Sequence, residues 1–264
     1  MENVQLTVNE GIATLVINRP KQLNALNKQT LAEISEAFES MRNDDGVKVV
    51  IMTGSGEKAF VAGADIKEFA NFSGVQGSEL AKTGHMTVFN SIEEFSKPVI
   101  AAINGAAAGL GLVQALMCDM RFAADTAKFT VAFSKRGLIG EYGISWVLPR
   151  LVGQANALDL MMSSRVVMAN EAQQMGMVNK VVPADQLMDV VLAYAADLAM
   201  NVSPSSMAVM KRQVYSDYEK DVSSASKEAL RLMQESFTRS DFKEGVQSFV
   251  QKRQAAFPPV DPKA

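Results

Sequence analysis

The sequence predicts a layered α/β core followed by a helical C-terminal region. Three observations carry that expectation. Short β-branched runs alternate with segments whose apolar residues recur at helical spacing. The run VKVVIMTG is apolar at nearly every position, the pattern of a strand covered on both faces. From about Asn170 the texture shifts, and the rest of the chain reads mainly as helices.

The elements follow in chain order. VQLTV and IATLVIN flank Asn9-Glu10-Gly11, a hairpin signature. KQTLAEISEAFESMR places Leu31, Ile34, Phe38 and Met41 on one helical face, with charges opposite. FVAGADIKEFA leaves a strand through Gly63 and enters a helix. PVIAAINGAAAGLGLVQALMCD reads as a strand, a turn at Asn104-Gly105, a small-residue loop and an apolar helix. MRFAA and AKFTVAF are two more short strands. NEAQQMGMVNKVV reads as a capped short helix, a stop at Gly176 and a strand. After Pro183, helices are expected over DQLMDVVLAYAADLAM, SPSSMAVMKRQVYSDYEK and VSSASKEALRLMQESFTRS, with Ser203-Pro204 marking a helix start. The closing SDFKEGVQSFVQKRQAAF carries Phe242, Val246, Phe249 and Val250 on a side apolar enough to dock. The division expected is a core over residues 1–200 and a helical region over 201–264.

Composition narrows the function classes. With 48% hydrophobic and 21% charged residues among 264, the chain reads as an ordinary soluble globular protein. A net charge of -3 lacks the basic surface that nonspecific nucleic-acid binding needs, although Lys21, Lys58 and Lys67 flank the glycine-rich motifs. No apolar run approaches membrane-spanning length, so no membrane partner is expected. MENVQLTVNE has neither the basic start nor the apolar centre of a secretory signal. Cys118 is the single cysteine, which predicts a buried structural thiol and a reducing, cytoplasmic setting. With one histidine, His85, and no paired cluster, metal-ligand spacing is absent; His85 reads as a helix-surface or packing residue. Met161, Met162, Met207 and Met210 read as core packing or flexible pocket lining.

Two glycine clusters are the candidates for chemistry. GSGEKAF lacks the Lys-Ser/Thr ending of a phosphate loop, and in AAAGLGLVQ Gln114 stands where a dinucleotide fingerprint needs its third small residue. What Ala62-Gly63-Ala64 and Gly109-Leu110-Gly111 share is a small-residue approach from a strand into a helix. Such a bend leaves backbone N–H groups unpaired, and small residues let a ligand approach them. Two convergent donors would form an oxyanion hole. Spacing alone does not bring them together, and tight helix–strand packing explains either cluster by itself.

FVAGADIKEFA, then KPVIAAINGAAAGLGLVQALMCDMRFAADTAKF, then LPRLVG together resemble the enoyl-CoA hydratase/isomerase family, the crotonase superfamily. The resemblance runs from INRPKQLNAL to FVQKRQAAF. It implies a spiral of ββα units, a C-terminal helical trimerisation region, and a homotrimer or dimer of trimers. It also implies a coenzyme A thioester as substrate, with no separate cofactor. Carried over by residue, the oxyanion donors are the amides of Ala64 and Leu110, beside Gly109. Ala62, Gly63, Asp65, Ile66 and Lys67 line the acyl-CoA site, with Ala25 near the coenzyme A moiety. Phe249 and Lys252 match C-terminal-helix positions that approach coenzyme A in relatives. Read without the family, Asp65 looks like a helix cap.

The departure from the family pattern concerns two positions. Its hydratases hold and activate water with two glutamates, whose places here are Val113 and Phe133. Neither side chain can hydrogen-bond water. Glu141, in the loop KRGLIGEYGISW, matches instead the single acid of Δ3,Δ2-enoyl-CoA isomerases. Its surroundings also resemble epoxyphenylacetyl-CoA isomerases, which place Asp there. A pocket of Val113, Phe133, Leu138 and Trp146 is expected to raise the Glu141 pKa. The function expected is isomerisation of an unsaturated acyl-CoA with Glu141 as proton shuttle. The rivals are a hydratase with a non-standard second group and a catalytically silent acyl-CoA-binding subunit.

Overall fold

The computed structural model describes residues 1–65 and 94–260. Val4–Asn9 (β1) and Ile12–Ile17 (β2) form the expected hairpin. Glu10 and Gly11 both take positive φ at its turn, which matches the twist of the flanking strands. Helix α1 spans Lys28–Arg42, and the Asn27 side chain accepts from the Thr30 amide at its start. Leu31, Ile34, Phe38 and Met41 are all buried, as their spacing predicts.

The remaining strands separate into two sheets. β3 (Val49–Gly54), β5 (Val99–Ile103), β7 (Met120–Ala124) and β10 (Lys180–Val182) extend the hairpin into a six-stranded sheet ordered β1-β2-β3-β5-β7-β10, parallel beyond β1. β4 (Ala59–Val61), β6 (Ala106–Ala108), β8 (Lys128–Thr130) and β9 (Val167–Met168) form a second sheet in that order. Odd-numbered β3, β5 and β7 are neighbours in one sheet, and β4, β6 and β8 are neighbours in the other. The chain therefore places a strand in the first sheet, then one in the second, and advances one position. This is the spiral that the resemblance implies. The AAA stretch expected to be a loop is β6, which pairs with β4 on one side and β8 on the other.

Helices among the described residues complete the layers. α2 (Leu110–Met117) follows β6, and α3 (Ile144–Val152) and α4 (Gln154–Ser163) follow β8. The sequence reading assigned neither α3 nor α4, and Pro149 inside α3 masks its helical pattern. α5 (Ala169–Gln174) starts from Met168 without a side-chain cap, so the expected cap is not made. α6 (Leu187–Asn201) lays Val191, Ala195 and Ala199 on the first sheet against Val49, Ile51 and Ile100. α7 (Pro204–Asp217) begins as expected, with Ser203 capping and Pro204 in the first turn. Lys211 of α7 pairs with buried Asp119 at 2.7 Å and so fastens this helix to the core.

α8 (Val222–Ser236) and α9 (Ser240–Gln251) follow, and Ser203 donates to Asp241 at the start of α9. Among the described residues the apolar side of α9 is left largely uncovered. Phe242, Val246, Phe249 and Val250 all remain exposed.

One contact sets the distance between α2 and the second sheet. A Cβ on Gly111 would lie 2.0 Å from the Val61 carbonyl oxygen, so only glycine permits this approach. Gly111→Ala is expected to cost about 1–3 kcal/mol or more, because both contacting groups are backbone or β-branched and cannot yield. Urea unfolding measures this, and a midpoint equal to wild type would refute the close contact.

Candidate active site

The two small-residue clusters leave neighbouring parallel strands. β4 pairs with β6, so Ala62-Gly63-Ala64 and Gly109-Leu110 emerge side by side, one strand spacing apart. Gly63, at φ +112°, lies against the Ala108 carbonyl, and a Cβ there would come within 3.2 Å of that oxygen. Gly63 and Gly111 thus close the gap from both sides.

The backbone hydrogen bonds orient the two amides. Leu26 donates to the Gly63 carbonyl at 2.8 Å and accepts from the Asp65 amide at 2.8 Å. In this parallel bridge the intervening Ala64 N–H points away from Leu26, towards the β6 side. Leu110 opens α2, so its N–H has no carbonyl four residues earlier to accept it. Two small-residue segments thus leave adjacent strands, and the second enters the N-terminus of α2.

Val113 and Phe133, the positions that the resemblance assigns to hydratase glutamates, are apolar and buried. Val113 is fully buried in the first turns of α2, and Phe133 is 6% exposed. The Phe133 ring lies 3.8 Å from where a Gly109 Cβ would stand, so it walls the same corner as the Leu110 amide.

Glu141 sits in the loop between Phe133 and α3, where its carbonyl accepts from Ile144 at 3.1 Å. Gly143, at φ +77°, packs beside Met117 at the end of α2, and Gly140 fits tightly over Met161 and Ile144. The loop thus runs from the beginning of α2 to its end. No hydrogen bond or ion pair among the described residues engages the Glu141 carboxylate, which is half-buried. Burial pushes its pKa above the ordinary 4.5. Its charge and burial together also push the Tyr142 phenol up, burial being the larger cause. The raised carboxyl pKa is as expected, but part of the expected wall is not. Leu138 is 47% exposed at the loop tip. Trp146 turns to the other side of α3. There it stacks near Tyr215, meets Tyr218 edge-on and carries Arg150 4.3 Å from its ring centre.

Trp146 lines a different space, an apolar cavity of about 400 Å³ between α3 and α7 that includes Met207, Met210 and Val214. Cys118 reaches its edge and is buried, with its thiol pushed up to about 12 by burial. This is the inert structural thiol expected.

Asp65 shows a role that sequence reasoning missed. Its carboxylate pairs with Arg19 Nη2 at 2.9 Å, and Arg19 Nη1 donates to the Ala25 carbonyl. The helix that Asp65 was expected to cap lies outside the described residues, as do Ile66, Lys67 and His85. The pairing of Arg19 with Asp65 spans 46 residues, and no local spacing rule signals it. Phe249 and Lys252 are exposed on or just after α9, and no described contact brings them to this corner.

Comparisons with known proteins bear on this arrangement. The family model described as enoyl-CoA hydratase/isomerase matches residues 7–259. The crotonyl-CoA hydratase of Syntrophomonas wolfei is 39% identical over 256 residues, covering 97% of this chain and 98% of that protein. A short-chain-enoyl-CoA hydratase of Clostridium acetobutylicum is 36% identical over 253 residues, 96% of each chain. The crystal structure of an enoyl-CoA hydratase from Bacillus anthracis superposes with a TM-score of 0.93 at 30% identity, covering 97% of this chain and 99% of the other. A two-sheet spiral accompanies these matches across the chain's length. The chain belongs to the enoyl-CoA hydratase/isomerase family.

Proposed function

We propose that the protein isomerises an unsaturated acyl-CoA from the 3-enoyl to the 2-enoyl form, with Glu141 as its proton shuttle. The observation that carries this reading is a half-buried Glu141 carboxylate with no partner among the described residues, while positions 113 and 133 hold the buried apolar Val113 and Phe133. The Glu141 carboxylate takes the proton from C2 of the 3-enoyl thioester. Negative charge spreads through a dienolate onto the thioester oxygen, where the amides of Ala64 and Leu110 stabilise it. The same carboxyl group returns the proton at C4. One proton moves, and the reaction needs no resident cofactor. Burial of Glu141 brings its pKa nearer the operating pH, which favours base catalysis. As support for a homotrimer or dimer of trimers, the exposed apolar side of α9 offers surface that a second copy would cover.

Hydration is the second reading, and the names of the relatives favour it over isomerisation. Three of those proteins are named hydratases, and none of the three is named an isomerase. The residues favour the opposite reading, because adding water needs both a base and an acid on one substrate. Val113 and Phe133 can supply neither, which leaves Glu141 as the one group this reading uses.

Incubation with trans-3-hexenoyl-CoA and with crotonyl-CoA separates the readings. Wild type is expected to convert the first to the 2-enoyl thioester, and Glu141→Gln to lower that rate by about 100-fold or more, at the lower end of what a catalytic acid–base contributes. Efficient hydration of crotonyl-CoA by Glu141→Gln would sink the proposed mechanism. Binding of both thioesters without turnover would point to a silent subunit.

The raised pKa adds a stability test. A carboxyl group that holds its proton more tightly when folded contributes stability below its ordinary pKa, and this is lost as pH rises through the folded value. Glu141→Gln should therefore match or exceed wild type in stability at pH 7. It should also lack the wild-type decline above pH 4.5 that this group causes. Denaturant midpoints across pH 4 to 8 measure this; a less stable variant at pH 7 would contradict the buried, unpaired carboxylate.

A further inference from the structure

We propose that Arg19 is a positioning residue that holds the Ala64 amide in line for the thioester oxygen. The inference rests on the reading of Ala64 N–H as an oxyanion donor. That amide is oriented by the ψ of Gly63 and the φ of Ala64. Gly63 sits at φ +112°, a conformation that glycine reaches freely and leaves as freely. An amide that follows such a residue keeps one direction only when its surroundings over-determine it.

Arg19 supplies that restraint from one guanidinium. Nη2 pairs with the Asp65 carboxylate at 2.9 Å, immediately after Ala64. Nη1 donates to the carbonyl of Ala25, the neighbour of Leu26 that bridges to Gly63 and Asp65. The planar fork therefore spans both backbone segments of the parallel bridge. Arg19 is itself anchored. Its amide donates to Asn24 Oδ1 at 3.0 Å, and its carbonyl accepts from the Asn24 amide at 2.9 Å. Asn24 is 1% exposed and donates onward to the carbonyls of Ser55 and Ala59, at 3.0 and 2.8 Å. The path from Arg19 to the donor is short and has no flexible link. Both charged side chains are mostly covered, at 12% and 18% exposure, so water competes little for the pair.

The test reads carbonyl polarisation directly. A push–pull thioester such as 4-(dimethylamino)cinnamoyl-CoA absorbs at longer wavelength when donors polarise its carbonyl, whichever reaction the enzyme performs. Wild type should shift this absorbance to the red on binding. Arg19→Met and Asp65→Asn should lose most of the shift. They should also lower kcat on the turned-over substrate by roughly 10- to 100-fold, while KM moves less than about threefold. Arg19→Lys keeps the charge but not the fork, and should lose the shift while keeping the wild-type melting temperature. A full red shift and unchanged kcat in Arg19→Lys and Asp65→Asn would overturn the proposal and leave the oxyanion reading standing. No red shift in wild type would overturn both.

Discussion

Backbone-to-backbone contact between the start of α2 and the end of β4 governs the rest of the structure. Gly111 meets the Val61 carbonyl at a distance that no side chain allows, and Gly63, at φ +112°, lies close against the Ala108 carbonyl. Because each contact uses a glycine against a peptide group, the two strand ends are fixed without any side chain in between. These close approaches leave no room for a side chain between the two segments. β4 and β6 pair as neighbours within the second sheet, and this pairing is what brings their ends side by side.

The chemistry then depends on what surrounds that opening. Ion pairs elsewhere are satisfied: Asp119 by Lys211, Asp65 by Arg19. Glu141 differs in having no such partner among the described residues, and burial is what raises its pKa. A carboxylate held by a cation would be pulled the other way and would be a poorer base. Apolar Phe133 beside Gly109 keeps the corner short of polar groups that could hold a water molecule.

Much of the fold was legible because its elements obey local rules. α1 and the β1–β2 hairpin match their sequence periods, and Ser203-Pro204 marks α7 to the residue. The misses have physical causes. β6 is three alanines, with no β-branched residue to signal a strand, and its extended form is imposed by neighbours on both sides. Pro149 sits within α3, where only tertiary packing makes the helix tolerable. At the site, the glycine clusters were visible but their placement on neighbouring strands was not, because it arises from sheet pairing. Likewise Trp146 is near Glu141 in sequence yet lies across α3, since residues five apart on a loop–helix junction need not share a face. Arg19 gave no signal at all.

The displacement of Trp146 has a practical corollary. It is the sole indole in the chain, and it lies against Tyr215 and Tyr218 where α7 seats on α3. Intrinsic fluorescence excited at the indole band therefore watches the joint between the core and its C-terminal helices. An emission change during unfolding would time the release of α7.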